Sequence, residues 1–361
     1  MVDEIPLRPR KGRGATTNPT GRFERYIREG FDDGWTTDEE LPPLRTTVAE
    51  DATRRILTTN ESPDIGFNQS INPYKGCEHG CIYCFARPTH AYLGLSPGLD
   101  FETKLFAKSN AAELLAAELS KPGYRPQATT LGANTDPYQP IERERRITRS
   151  VLETMARFEH PVSIITKSAL VVRDLDILAS MAERHLVSVA ITVTTLDREL
   201  ARTLEPRAAT PPKRIETIRR LSEAGVPVAV MVAPIIPFLT DSEMETIVET
   251  AKGAGAASAA YVLLRLPHEL KDLFTEWLET HHPGKAKHVL SLLRSTRNGS
   301  LYVSEFGSRM RGTGVYADLI SRRFKLVIAR LGLHEGRVER FRLDYARFRV
   351  PPKPGDQLTL L

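Results

Sequence analysis

The sequence predicts an α/β protein in which strands and helices alternate and the strands lie parallel. Three observations carry this. Five short apolar, β-branched runs fall at 128–135, 162–167, 187–195, 226–236 and 259–266, each of a length suited to a buried parallel strand. Stretches with helical periodicity stand around them, at 111–119, 146–158, 170–184, 213–224 and 242–252. Boundary residues agree with the alternation: Gly225 stands where a helix-ending glycine belongs and Asp241 where a carboxylate caps the next helix.

Residues 1–62 read as an N-terminal arm. Basic residues lead, from Arg8 to Arg28, and an acidic stretch follows with Asp32, Asp33, Asp38, Glu39 and Glu40. Apolar residues are sparse, so the arm is expected to be partly disordered or to wrap the core. No apolar run follows Arg8, Arg10, Lys11 and Arg13, and no 18-residue apolar stretch occurs anywhere. Neither a secretory signal nor a membrane span is therefore expected, and the expected compartment is the cytoplasm.

Residues 63–282 form the expected core. A first strand near 70–75 brings the count to six β/α units, too few for a closed eight-fold barrel. A partly open barrel or a doubly wound sheet remains, and in both the functional groups gather at the C-terminal ends of the strands. After Pro283 the strands are expected to stop. Helices are predicted at 285–297 and 314–331, joined by a Gly-rich segment at 307–314. Residues 283–349 hold 15 Lys or Arg against 5 Asp or Glu, in a 361-residue chain whose net charge is only +5. A basic helical region at 283–350 suits a polyanion such as DNA or another nucleic acid.

The chain has three cysteines, all in Gly76-Cys77-Glu78-His79-Gly80-Cys81-Ile82-Tyr83-Cys84-Phe85. An odd number this tightly spaced is no disulfide framework. Three thiolates on a C-x3-C-x2-C loop can each reach one iron of a cubane, which leaves the fourth iron open to a ligand. Two other readings stand beside it: a structural zinc site completed by His79 or His90, as in a non-catalytic zinc-stabilised nucleic-acid-binding module, and three inert buried cysteines.

The loop, with Tyr83 just before its last cysteine, resembles the radical S-adenosylmethionine (SAM) superfamily. Asn72-Pro73-Tyr74, Ala86-Arg87-Pro88-Thr89-His90 and Thr135-Asp136-Pro137-Tyr138-Gln139-Pro140 make roughly residues 10–335 similar to its spore photoproduct lyase-like, or DNA repair photolyase-like, subgroup. The resemblance implies a partial (β/α)6 barrel of the radical SAM type. It also implies a [4Fe–4S] cluster on Cys77, Cys81 and Cys84 that cleaves SAM reductively to a 5′-deoxyadenosyl radical, which abstracts hydrogen from a substrate. An electron donor such as a flavodoxin or ferredoxin is implied as well.

On this reading Tyr83, Asn134, Thr135, Asp136, Lys167, Thr192, Thr194 and Ala233 are the expected cofactor-binding residues. Asn134, Thr135 and Asp136 would take the amino group, Lys167 the carboxylate and the threonines the ribose. Val232-Ala233-Pro234-Ile235 would flank the adenine. Lys167 is also a candidate catalytic residue. Spore photoproduct lyase uses a further cysteine as hydrogen donor on the second strand, where this chain has Ala133. Tyr92 and Tyr138 are the candidate substitutes. Arg207 is a candidate anion contact.

The tail at 351–361 is expected to be flexible. Its Gln357-Leu358-Thr359-Leu360-Leu361 resembles the peptide by which bacterial replication proteins dock into the sliding clamp. The expected function is a radical SAM enzyme, lyase-like and directed at nucleic acid, with DNA repair as one role. The alternative substrate is a protein or small molecule, as for a maturase or modifying enzyme.

Overall fold

The computed structural model describes residues 10–24, 26, 44–335 and 341–352. The expected tail peptide Gln357–Leu361 lies outside them. Eleven strands are described: β1 (Thr47–Glu50), β2 (Leu57–Thr59), β3 (Gln69–Ile71), β4 (Tyr74–Lys75), β5 (Lys104–Ala107), β6 (Thr129–Leu131), β7 (Val162–Thr166), β8 (Val187–Thr192), β9 (Val228–Ile235), β10 (Ser258–Leu263) and β11 (His334–Glu335). Eight form one sheet in the order β11-β10-β9-β8-β7-β6-β3-β2, parallel except for the antiparallel β2–β3 edge. Alternate residues of β7 to β9 face the main core, as expected of strands covered by helices.

The sheet does not close by strand pairing. Its two ends are instead tied by side chains. Ser62 and Asp64, beyond the β2 edge, bind Arg309, and Asp64 also accepts the Gly307 amide at 2.6 Å. The carbonyl of neighbouring Met310 takes the Leu263 amide at the end of β10. A sheet whose opposite margins meet in this way is rolled into an open barrel.

The helices are α1 (Leu99–Thr103), α2 (Ala111–Leu119), α3 (Glu142–Arg145), α4 (Ile147–Arg157), α5 (Leu175–Glu183), α6 (Arg198–Leu204), α7 (Pro211–Glu223), α8 (Met244–Gly253), α9 (Leu270–His281), α10 (Pro283–Ser295) and α11 (Val315–Arg330). A second apolar core backs the cysteine loop. It joins Ile82 and Tyr83 to Leu204, Phe274 and Trp277, and α9 and α10 share it across residue 282.

Three expectations need correction. The strand expected at 70–75 is two strands in different sheets: β3 lies in the barrel, whereas β4 pairs with β5 in a small sheet of order β1-β5-β4. Strands do not stop at 283, because β11 pairs in parallel with β10. Asp241 does not cap α8; its carboxylate accepts the Tyr316 hydroxyl of α11 at 2.8 Å. Within the arm, residues 13–16 are buried against the core, in keeping with the wrapping alternative.

Candidate active site

Two buried ion pairs flank the cysteine loop. On one side stand Arg87 and Glu102, both 0% exposed and 2.5 Å apart. Arg87 donates to the carbonyls of Cys81 (2.8 Å) and Gly80 (2.9 Å), and to those of Gly98 and Pro97. Its planar fork thus holds the loop backbone, a task a single ammonium cannot perform. Glu102 also accepts the amides of Gly14 (3.0 Å) and Ala15 (2.9 Å), so the same carboxylate seats the N-terminal arm. Gly80, at φ +68, has the Glu102 carboxylate 2.7 Å from where a Cβ would be. Only glycine fits that turn.

On the other side Glu205 accepts the Tyr83 hydroxyl, the Thr194 hydroxyl (2.8 Å) and the Arg214 guanidinium. Arg214 also reaches the carbonyls of Thr192 (3.1 Å) and Ala209 (2.7 Å). Tyr83 is therefore fixed to the ends of β8 and α6. Glu78 pairs with Arg207 at 3.1 Å, so that arginine is a loop partner and not a free anion contact. Gln139 brackets the loop start, accepting the Glu78 amide and donating to the Gly76 carbonyl.

Cys77, Cys81 and Cys84 line one cavity of about 800 Å³ at the C-terminal ends of the strands. Burial pushes the thiols of Cys77 and Cys81 up from their ordinary value. Tyr83, Asn134, Asp136, Lys167, Thr192 and Ala233 line the same cavity, as does Ala133. Lys167 Nζ lies 5.7 Å from the Tyr83 ring centroid. Asn134 and Thr192 make no side-chain hydrogen bond with the described residues.

Asp136 is already engaged. It accepts from the Thr166 hydroxyl (2.7 Å) and from the amides of Lys167 (2.8 Å) and Tyr138 (2.9 Å), and it lies 3.3 Å from Nδ1 of His79. Burial alone would raise its pKa, but His79 and these hydrogen bonds hold it down at about 2. It ties β7 to the cysteine loop.

The other expected residues lie outside the lining. Thr135 spends its hydroxyl on the Tyr74 carbonyl at 2.8 Å. Thr194 is bound up with Glu205 and with the Ala233 carbonyl at 3.0 Å. Tyr92 is 71% exposed and packs at a tilt against the Phe23 ring. Tyr138 is wholly buried beside Arg173 and Asp174. Neither tyrosine is brought to the cavity. His90 faces the Lys104 carbonyl at 2.9 Å and is not part of the cavity lining. Among the described residues, no three His, Cys, Asp or Glu side chains are grouped to hold a single metal ion. The donor set suits a larger group: three soft thiols line a cavity whose volume is that of a small-molecule site.

The model of the Radical SAM superfamily matches residues 71–251. The chain belongs to this superfamily. An uncharacterised protein of Mycobacterium tuberculosis is 38% identical over 230 residues, 63% of this chain and 68% of its own length. One of Methanocaldococcus jannaschii is 28% identical over 218 residues, 60% of this chain and 78% of its own length. Among solved structures, a mutant spore photoproduct lyase with bound AdoMet and dinucleoside spore photoproduct has a TM-score of 0.55 at 15% identity, over 80% of each chain. Spore photoproduct lyase complexed with dinucleoside spore photoproduct gives 0.53, again at 15% identity and over 80% of each chain. The radical SAM fold is thus shared with spore photoproduct lyase, and the chain is a radical SAM enzyme. Members of the superfamily generally use a [4Fe–4S] cluster and SAM. Among the described residues no helix is long and apolar enough to cross a membrane.

Glu102, Glu205, Arg214 and the cavity residues Met231 and Arg265 escaped the sequence reading.

Proposed function

We propose that Cys77, Cys81 and Cys84 hold a [4Fe–4S] cluster, that the cavity beside them binds SAM, and that the substrate is a nucleic acid processed in a lyase-like reaction in the cytoplasm. One observation carries the reading: the three thiols of the C-x3-C-x2-C loop open onto the cavity formed by the strand ends. With cluster and SAM bound, one-electron reduction by a donor such as a flavodoxin or ferredoxin supplies a 5′-deoxyadenosyl radical able to take a hydrogen atom from the substrate.

The chain's own residues bind and orient. Lys167 offers a compact cation to the SAM carboxylate, and the free Asn134 amide and Thr192 hydroxyl offer polar contacts. Ala233 gives an apolar wall for the adenine. Tyr83, locked by Glu205, keeps the last turn of the loop from shifting. Ala133 supplies no thiol, so hydrogen return follows a route independent of a cavity cysteine. Support for a nucleic acid comes from the fold shared with spore photoproduct lyase and from the basic region after residue 283.

The test is anaerobic purification followed by iron and sulfide analysis, then dithionite, SAM and assay of 5′-deoxyadenosine. About four iron and four sulfide per chain are expected, with cleavage abolished in Cys81→Ala. Zinc in place of iron, with no cleavage, would refute the proposal. Salt-dependent oligonucleotide binding tests the substrate class separately.

A further inference from the structure

The cavity has a wall that neither the cysteines nor the expected SAM contacts explain. It is formed by the end of β10 and by residues 306–310. Arg265, two residues beyond β10, lines it with its guanidinium 4.3 Å over the Phe85 ring. No hydrogen bond or ion pair joins that guanidinium to any described residue. Burial, and then the neighbouring charge of Arg309, weaken its hold on its proton.

Its surroundings make the charge imbalance worse. Arg297 is 1% exposed and donates only to carbonyls, those of Leu263, Leu264 (3.0 Å) and Ser308 (2.9 Å). Burial and Arg265 hold its pKa at about 10. Arg309 is satisfied by Asp64 and lies 4.7 Å over Phe306. Of these three guanidiniums only that of Arg309 contacts a carboxylate, although Glu61 also lines the cavity. Arg265 is partly withdrawn from water, and a guanidinium in that position without a counter-ion favours the entry of an anion.

A guanidinium fork matches the oxygens of a phosphoryl group, and the flanking rings of Phe85 and Phe306 give flat faces on which a base can stack. Lys167 already provides a cation for a carboxylate at the other strand ends. We propose that Arg265 is a phosphoryl subsite: it receives a backbone phosphate of the substrate and sets which nucleotide lies over the cysteine loop. This deepens the nucleic-acid reading above and rests on it.

The test uses anaerobically purified, cluster-loaded protein and fluorescence anisotropy of a fluorescein-labelled thymidine hexanucleotide. A second probe carries uncharged methylphosphonate linkages. Arg265→Gln is expected to weaken binding of the phosphodiester probe about tenfold and to lower the salt slope by about one. Wild type and Arg265→Gln should bind the methylphosphonate probe alike. Arg219→Gln, at an exposed position of α7, controls for loss of one surface charge and should change little.

Phosphodiester binding within twofold of wild type in Arg265→Gln overturns the subsite. So does an equal loss with both probes, or an Arg265-dependent preference for a hexaglutamate peptide. Unchanged binding with altered iron content or an altered electron paramagnetic resonance signal would show that the guanidinium serves the cluster instead. Absence of oligonucleotide binding by wild type defeats the substrate reading together with the subsite, whereas iron content and SAM cleavage report separately on the radical chemistry.

Discussion

Arg87 and Arg265 are guanidiniums beside the same cysteine loop, the first wholly buried and the second half-buried, and their surroundings are opposite. Arg87 meets a carboxylate and four carbonyls, and nothing about it is left to satisfy. Arg265 meets an aromatic face and open cavity. The same contrast extends outward. Glu205 with Arg214 and Glu78 with Arg207 neutralise one another on the loop side, while Arg297 stands on the β10 side with carbonyls alone. A paired buried charge holds backbone in place, because losing either partner strands the other. An unpaired one is energetically incomplete and suits a ligand that comes and goes. The loop side is therefore scaffold and the β10 side receptor.

The contrast is most severely tested at Glu102. Glu102→Gln keeps the shape but leaves the Arg87 charge buried without a counter-ion. A loss of about 3–5 kcal/mol is expected, read from urea unfolding of the anaerobic protein, together with reduced iron retention. A loss below about 1 kcal/mol, the range of exposed pairs, would mean that Arg87 needs only its carbonyls and that pairing does not define the loop side.

The next test concerns how the arm is seated. A Cβ on Gly14 would overlap the Gly80 carbonyl oxygen, so Gly14→Ala must lift the arm or push the loop. Overpacking of this kind costs about 1–3 kcal/mol. Unfolding midpoints and limited proteolysis near residue 14 would report it. An unchanged midpoint would place the arm outside the scaffold, and Glu102 would then stabilise the loop through Arg87 alone.

These two regions also mark the limit of what the sequence could reveal. The cysteine triplet is local, so spacing alone exposes it. β7, β8 and β9 are legible because buried parallel strands favour β-branched runs. β6 ends at Leu131, short of the predicted 128–135 run, because Gly132 turns the chain at φ +85. α9 was passed over although Leu270, Leu273, Phe274, Trp277 and Leu278 fall at helical spacing and are all buried. β1 is mostly exposed and pairs with β5 more than fifty residues away. No local pattern announces such a partner. Long-range pairing hides Glu102 in the same way, since its partners include residues 14 and 15. Tyr92 and Tyr138 looked suitable because they lie near site motifs. The turn at Asp136, which takes the Tyr138 amide, leaves that ring buried beside Arg173 instead.

The smallest effect is expected at Phe85, where the two regions touch. The residue follows the last cysteine, yet its ring faces Arg265. If the β10 side is a receptor, the ring acts by holding the guanidinium plane ready for a phosphate, at a cation–π strength of about 0.5–1 kcal/mol. Phe85→Leu should then raise the dissociation constant of the thymidine hexanucleotide about two- to fivefold while iron content stays at the wild-type level. Phe85→Tyr, which keeps the aromatic face, should restore tight binding. A loss of iron in Phe85→Leu that Phe85→Tyr reverses would assign the ring to the loop scaffold, and the boundary between the two regions would have to be drawn between Phe85 and Arg265 rather than through their contact.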